Sequence, residues 1–270
     1  MRWRIVFYLV GFLVLLLGLI MFLPLLYGLY AKDASLCSLL QSALVTVSVG
    51  AVLYLSLRTS PIDYISQREG MAIVAIGWTA VGFFAALPFY LCGMFDSFGN
   101  AFFESVSGFT TTGASVITDI DAVPEAILLW RSLIQWLGGM GIIVLSVAIL
   151  PFLGVGGMQL FKAEVPSPVP DKLKPRVSDT AKTLWKVYVL ISLLELLLLL
   201  FGGVELFDAL CHTFTTMPTG GFSTKGLSIA HYDSLYVDLV VMFFMLVAGI
   251  NFSLHYQLLR GRPLSLWRDS

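Results

Sequence analysis

Residues 109–115 read Phe-Thr-Thr-Thr-Gly-Ala-Ser, FTTTGAS, and residues 217–223 read Met-Pro-Thr-Gly-Gly-Phe-Ser, MPTGGFS. Shifting the chain by 108 residues lays one on the other: NAFFESVSGFTTTGAS (100–115) falls on DALCHTFTTMPTGGFS (208–223). Ala101 meets Ala209, Thr111 meets Thr219, Gly113 meets Gly221, and Ser115 meets Ser223. The same shift brings Gly141 onto Gly249. Such self-similarity marks a repeated structural unit and is read before any single motif.

The surroundings make these polar stretches conspicuous. The 270-residue chain is 58% hydrophobic and 12% charged, where an ordinary soluble domain has about 25% charged residues. Its mean hydropathy is +0.89. A chain of this composition cannot cover itself with polar surface, so it reads as an all-α, polytopic membrane protein. Crossing the hydrocarbon takes about 20 apolar residues. Six stretches qualify, at roughly 5–30, 37–57, 71–92, 126–152, 183–202 and 235–258. The first follows two arginines but runs on without a small-residue cleavage site, so it reads as a retained span. Segments 95–118 and 203–225 are too short and too polar to span.

Basic residues orient such a chain. With the N-terminus in the cytoplasm, thirteen of the sixteen Lys and Arg residues lie inside, and only Lys32, Arg131 and Lys225 lie outside. Acids including Asp33, Glu104, Asp208 and Asp238 gather on the other side, which fits either an outer mouth that attracts cations or plain solvated loops. Each repeat is then a span, a half-helix at about 97–108 or 205–216, a Thr/Gly stretch and a second span, a re-entrant hairpin. Irregular backbone at membrane depth is tolerated only where it is buried in protein or lines a watery cavity. Glycines there permit unusual backbone angles, and hydroxyl and carbonyl oxygens can replace the water around a potassium ion. The alternative is two surface turns.

At ESVSGFTTTGASV (104–116), WLGGMGIIVLSVAILPFLGVGGMQLFKAEVP (136–166) and HTFTTMPTGGFST (212–224), the chain resembles the membrane subunit of the Trk-type bacterial potassium transporters. The resemblance implies a fold related to potassium channels: two N-terminal helices (1–60), then span–pore–span repeats at 61–165 and 166–270. It implies a potassium-binding filter at Thr110, Thr111, Thr112, Gly113, Thr219, Gly220 and Gly221. Potassium would sit at Thr111, Thr112, Thr219 and Gly220, with Pro218 in the place of Thr110. It also implies the bacterial inner membrane, a cytoplasmic nucleotide-binding regulatory subunit as partner, potassium as the transported ion, no organic cofactor and no nucleic acid. The resemblance leaves proton or sodium coupling (symport) open. Family members carry four repeats, and this chain carries two, ending at SLWRDS. It reads as a truncated subunit lacking the third and fourth repeats, with the gate element that the family keeps in the third. Two copies pairing as a homodimer would supply four hairpins; a non-conducting fragment or scaffold component is the other reading.

Further residues carry less. Glu195, inside ISLLELLLLLFGG, is either a functional intramembrane acid or a bond to a neighbouring helix. Asn251 reads as polar glue between helices or as lining of the lower pore. Glu104 and His212 occupy one place under the offset and read as orienting hydrogen bonds behind the filter. The basic loop 162–182 suits a regulatory subunit, anionic lipid or ordinary charge loading. Cys37, Cys92 and Cys211 lack metal or redox spacing. With no Walker loop and no nucleophile–base spacing, the chain does not read as an enzyme.

Overall fold

In a computed structural model, residues 1–58, 66–153, 173–250, 252, 254 and 255 are described; among them, side chains are described outside Gln67, 142–153 and 173–181. Those residues are helical with no strand. The helices are α1 (Trp3–Ile20), α2 (Phe22–Ala31), α3 (Leu36–Ser56), α4 (Gln67–Ala85) and α5 (Leu87–Leu91). There follow α6 (Phe98–Phe109), α7 (Glu125–Leu153), α8 (Leu173–Phe201), α9 (Leu206–Thr216) and α10 (Leu235–Gly249). Among the described residues, four stretches, Trp3–Ala31, Leu36–Ser56, Arg68–Leu91 and Lys182–Phe201, are long and apolar enough to cross a membrane. The chain divides into two compact units, Met1–Ile134 and Gln135–Ser270, with the boundary inside α7. Asn251 and most of the loop 162–182 lie outside the described residues.

Proline sets both breaks in the first unit. Pro24 cannot donate to the Ile20 carbonyl, nor Pro88 to that of Phe84, so the first span bends at Met21 and the third at Ala86. The first unit is then held by close backbone approach. On α1, Gly11 and Gly18 lie against Leu53 and Val47 of α3, and Gly50 of α3 lies against the Leu15 backbone of α1. A Cβ on Gly11 would stand 2.6 Å from the Leu53 Cβ. Small residues of this kind let membrane helices pack where lipid supplies no hydrophobic drive between them. The valines on α1, Val6, Val10 and Val14, recur every fourth residue and pack on Ile73, Ile76 and Ala80 of α4.

A bidentate ion pair ties the start of the chain to α4. Arg2 Nη2 meets Glu69 Oε2 at 2.8 Å and Arg2 Nε donates to Oε1 at 2.9 Å, while Glu69 also closes a capping box with Ser66. Between α2 and α3, Asp33 accepts from the Ser35 amide and hydroxyl (2.8 and 2.6 Å) and from the Ala126 amide (3.0 Å).

In the second unit, Val237, Val240, Val241, Phe244 and Ala248 form the inner stripe of α10 against Leu184, Val187 and Tyr188 of α8. The opposite face, including Leu239, Phe243 and Leu246, is exposed, Leu246 by 73%. A helix with apolar residues on both faces suits a lipid surround. The helix ends at Gly249, where Ile250 turns extended; the Val247 carbonyl accepts the Ile250 amide at 3.2 Å and also meets a His255 ring nitrogen at 2.8 Å.

Two outcomes test this packing. Gly50→Val is expected to destabilise the first unit by about 1–3 kcal/mol, the usual cost of overpacking, read from thermal unfolding in detergent beside the milder Gly77→Ala. Burial works against a charged Asp33, but its three hydrogen-bond donors outweigh that and hold the carboxyl below the ordinary aspartate range. Its stabilisation is therefore fully present above that range, about pH 4, and is lost as pH falls below it and through the lowered value of the folded state. Asp33→Asn should flatten the acid limb of a pH–stability curve.

Candidate functional site

The two short helices end in the same way, 108 residues apart. In the first unit, the Thr111 amide donates to Gly108 O (3.0 Å), Thr112 to Ser107 O (2.9 Å), and Gly113 to Ser107 O (3.4 Å). In the second, Thr219 donates to Thr216 O (2.8 Å), and Gly220 and Gly221 both donate to Thr215 O (3.0 Å each). The dihedrals match too: φ is 56° at Thr111 and 59° at Thr219, and 75° at both Gly113 and Gly221. This is a Schellman helix ending, with the left-handed position filled by threonine. At the end of α8 the same position is glycine, Gly203 at φ 81°, and at the end of α2 it is the unbranched Lys32 at φ 55°. A β-branched residue at positive φ is a genuine outlier, and such strain costs roughly 1–3 kcal/mol each.

The consequence for the carbonyls follows from the peptide plane. In a trans peptide the carbonyl of one residue points opposite to the N–H of the next. The N–H groups of 111–113 all turn back onto the helix end, so the carbonyls of Thr110, Thr111 and Thr112 turn away from it. By the same reasoning the carbonyls of Pro218, Thr219 and Gly220 turn away from α9. Thr112 and Thr219 are exposed, so each row of oxygens lies on the open side of its unit. Thr110 Oγ1 and Thr112 Oγ1 lie 2.7 Å apart in the first loop, and Thr219 Oγ1 donates to the Pro218 carbonyl at 2.7 Å in the second. Each loop also caps a helix C-terminus, which carries partial negative charge. Oxygens and dipole together favour a cation.

Behind the first loop, Glu104 is fully buried and accepts from Ser115 Oγ (2.9 Å), the Val116 amide (3.0 Å) and Arg131 Nε (2.7 Å). Ser107 Oγ also donates to the Ala114 carbonyl, at 2.5 Å. The second loop is braced differently. His212, at Glu104's place under the offset, meets the Tyr232 hydroxyl at 3.0 Å and not the loop. Gln135 takes over: its Oε1 accepts the Phe222 amide at 3.2 Å, and its amide packs on Gly220, where a Cβ would overlap it. Asp208 completes the brace, accepting from Thr224 Oγ1 at 2.7 Å and pairing with Lys225 at 3.1 Å.

Sequence reading missed Gln135 and Asp208. The available signal was Arg131 and Gln135, two polar residues one turn apart in an otherwise apolar helix. Arg131 and Lys225, two of the three basic residues that break the charge pattern, are both ion-paired. Among the described residues no three His, Cys, Asp or Glu side chains gather as metal ligands.

Removing Arg131 leaves Glu104 buried without its counter-charge. Arg131→Met is expected to cost about 3–5 kcal/mol, and the Glu104→Met, Arg131→Met double variant less than that, because no charge is then stranded. Denaturant unfolding of both in detergent measures the difference; equal losses would show that the pair does not brace the loop.

Comparison with known proteins finds relatives of this chain. The family model TrkH, described as a cation transport protein, matches residues 37–269. The "Trk system potassium uptake protein TrkH" of Salmonella typhimurium is 44% identical over all of this chain and 56% of its own length. The "Trk system potassium uptake protein TrkG" of Escherichia coli is 38% identical over 98% of the chain and 55% of its own length. The crystal structure of the potassium transporter TrkH from Vibrio parahaemolyticus superposes with a TM-score of 0.87 at 35% identity, covering 100% of this chain and 55% of that one. The chain thus spans about half the length of the relatives it matches, and it belongs to the TrkH family of cation transport proteins.

Proposed function

We propose that this chain supplies two filter loops of a potassium-conducting path across the bacterial inner membrane. The observation that carries the reading is the recurrence, at an offset of 108, of a strained loop whose consecutive carbonyls turn away from a helix C-terminus. Potassium would be held by the carbonyl and hydroxyl oxygens of Thr111 and Thr112 in one loop and of Thr219 and Gly220 in the other. Gly113 and Gly221 carry the second left-handed turn of each. Rows of such oxygens replace an ion's water shell. Names of the relatives support potassium as the ion. The basic residues support a cytoplasmic N-terminus, and we read the repeats as 61–165 and 166–270 after an N-terminal pair, 1–60. A cytoplasmic nucleotide-binding subunit is the partner the family resemblance implies.

A second reading, a non-conducting or scaffold component, is favoured by one observation: the chain covers only 56% of its Salmonella relative. Rubidium uptake into liposomes decides between them. The chain is reconstituted alone, where a second copy can complete the ring, and co-expressed with the remaining half of that relative. Uptake in either preparation supports conduction, and none in both supports the scaffold reading. Gly113→Ser and Gly221→Ser are each expected to lower potassium-over-sodium discrimination about tenfold, about 1.4 kcal/mol. Unchanged discrimination in both would sink the filter assignment.

A further inference from the structure

Glu195 lies in the C-terminal half of α8 and is fully buried, and neither of its carboxyl oxygens has a hydrogen-bond partner among the described residues. The group nearest to providing one is the Thr216 hydroxyl of α9, which does not close a bond to it. One turn earlier on α9, the hydroxyl of Thr213 is also buried and unpartnered. Two helices therefore carry, at the back of the second loop, three buried oxygens whose hydrogen-bonding capacity is unspent. Buried polar groups in native proteins are paired with protein or ordered water nearly without exception, so this group asks for a ligand.

Among the described residues, no neighbouring side chain supplies a counter-charge. On α8, Tyr188 lies two turns away and donates its hydroxyl to the Trp136 carbonyl at 3.1 Å. On α9, Asp208 is held by Lys225 and Thr224, His212 faces Tyr232, and Cys211 is a buried thiol. On α10, the Tyr236 hydroxyl donates to the Leu198 carbonyl and Asp238 sits in the first turn. An unpaired carboxylate in such a place is too costly to keep ionised. A carboxyl and two hydroxyls are also too few oxygens to replace an alkali cation's water shell.

We propose that Glu195 is a proton-binding site set against the back of the second loop. A bound proton turns the carboxyl from an acceptor only into a donor as well, so it can bond one of the threonine hydroxyls directly or through a water. The site touches the loop through its helix end: Thr216 O receives the Thr219 amide, and Thr215 O receives those of Gly220 and Gly221. Loss of the proton would place a bare negative charge against the turn that holds the loop. That consequence rests on the filter reading; the proton site itself does not.

The test is infrared spectroscopy of the 270-residue chain in lipid bilayers at neutral pH. A carboxylic acid C=O stretch is expected, lost in Glu195→Gln and retained in Glu205→Gln, which changes an exposed residue at the start of α9. Labelling the unaltered chain with ¹³C-glutamate should shift the same band, a readout that does not depend on how a variant folds. Absence of an acid band, a band that survives Glu195→Gln, or one that labelling leaves in place would overturn the assignment. Since the band is read without transport, silent Gly113→Ser and Gly221→Ser variants would remove the filter reading and leave this one standing.

Discussion

Each filter-like loop depends on a single constraint, the antiparallel pairing of carbonyl and N–H across a planar peptide. Once three successive amides are committed to the carbonyls that end a short helix, three carbonyls have no choice but to face the other way. The backbone thereby satisfies its own donors and leaves its acceptors available. A membrane protein cannot otherwise present bare acceptors at depth without leaving donors unpaired beside them. Left-handed residues at 111 and 113, and again at 219 and 221, make that arrangement sterically attainable.

The two loops share backbone geometry but not the chemistry behind it. Glu104 and Arg131 place a buried ion pair behind the first loop, whereas a neutral amide, Gln135, contacts the second. Charged and neutral braces respond differently to substitution and to the ion in front of them, so the two loops are not interchangeable halves. The two repeats keep one turn and differ in its support. Weak identity between the repeats coexists with dihedrals that agree within a few degrees for this reason.

How much of this was legible beforehand differs by level. The expected half-helices at 97–108 and 205–216 lie within a residue of α6 and α9, because the surrounding apolar runs bound them on both sides. Glu104 was readable as a brace, since an acid in an apolar half-helix demands a partner. His212 was not, because equivalence by offset assumes conserved contacts, and Tyr232 claims its ring. Gln135 was hidden by tertiary context: nothing local says that it meets residues 220–222. The left-handed threonines were hidden too, since propensity puts glycine there, as Gly203 shows at the end of α8. Local propensity alone does not find positions of this kind.

Threonine in the left-handed position sets stability against function. Glycine at 111 or 219 would relax the backbone, yet it would also remove a hydroxyl beside the row of carbonyls. Selection for heat resistance alone, in detergent and without an ion gradient, would thus drift toward glycine at these two places and discard the oxygens to which the proposed filter role assigns ion contact. A thermostabilised version of this protein that keeps both threonines would be the one to trust as a picture of the working loop.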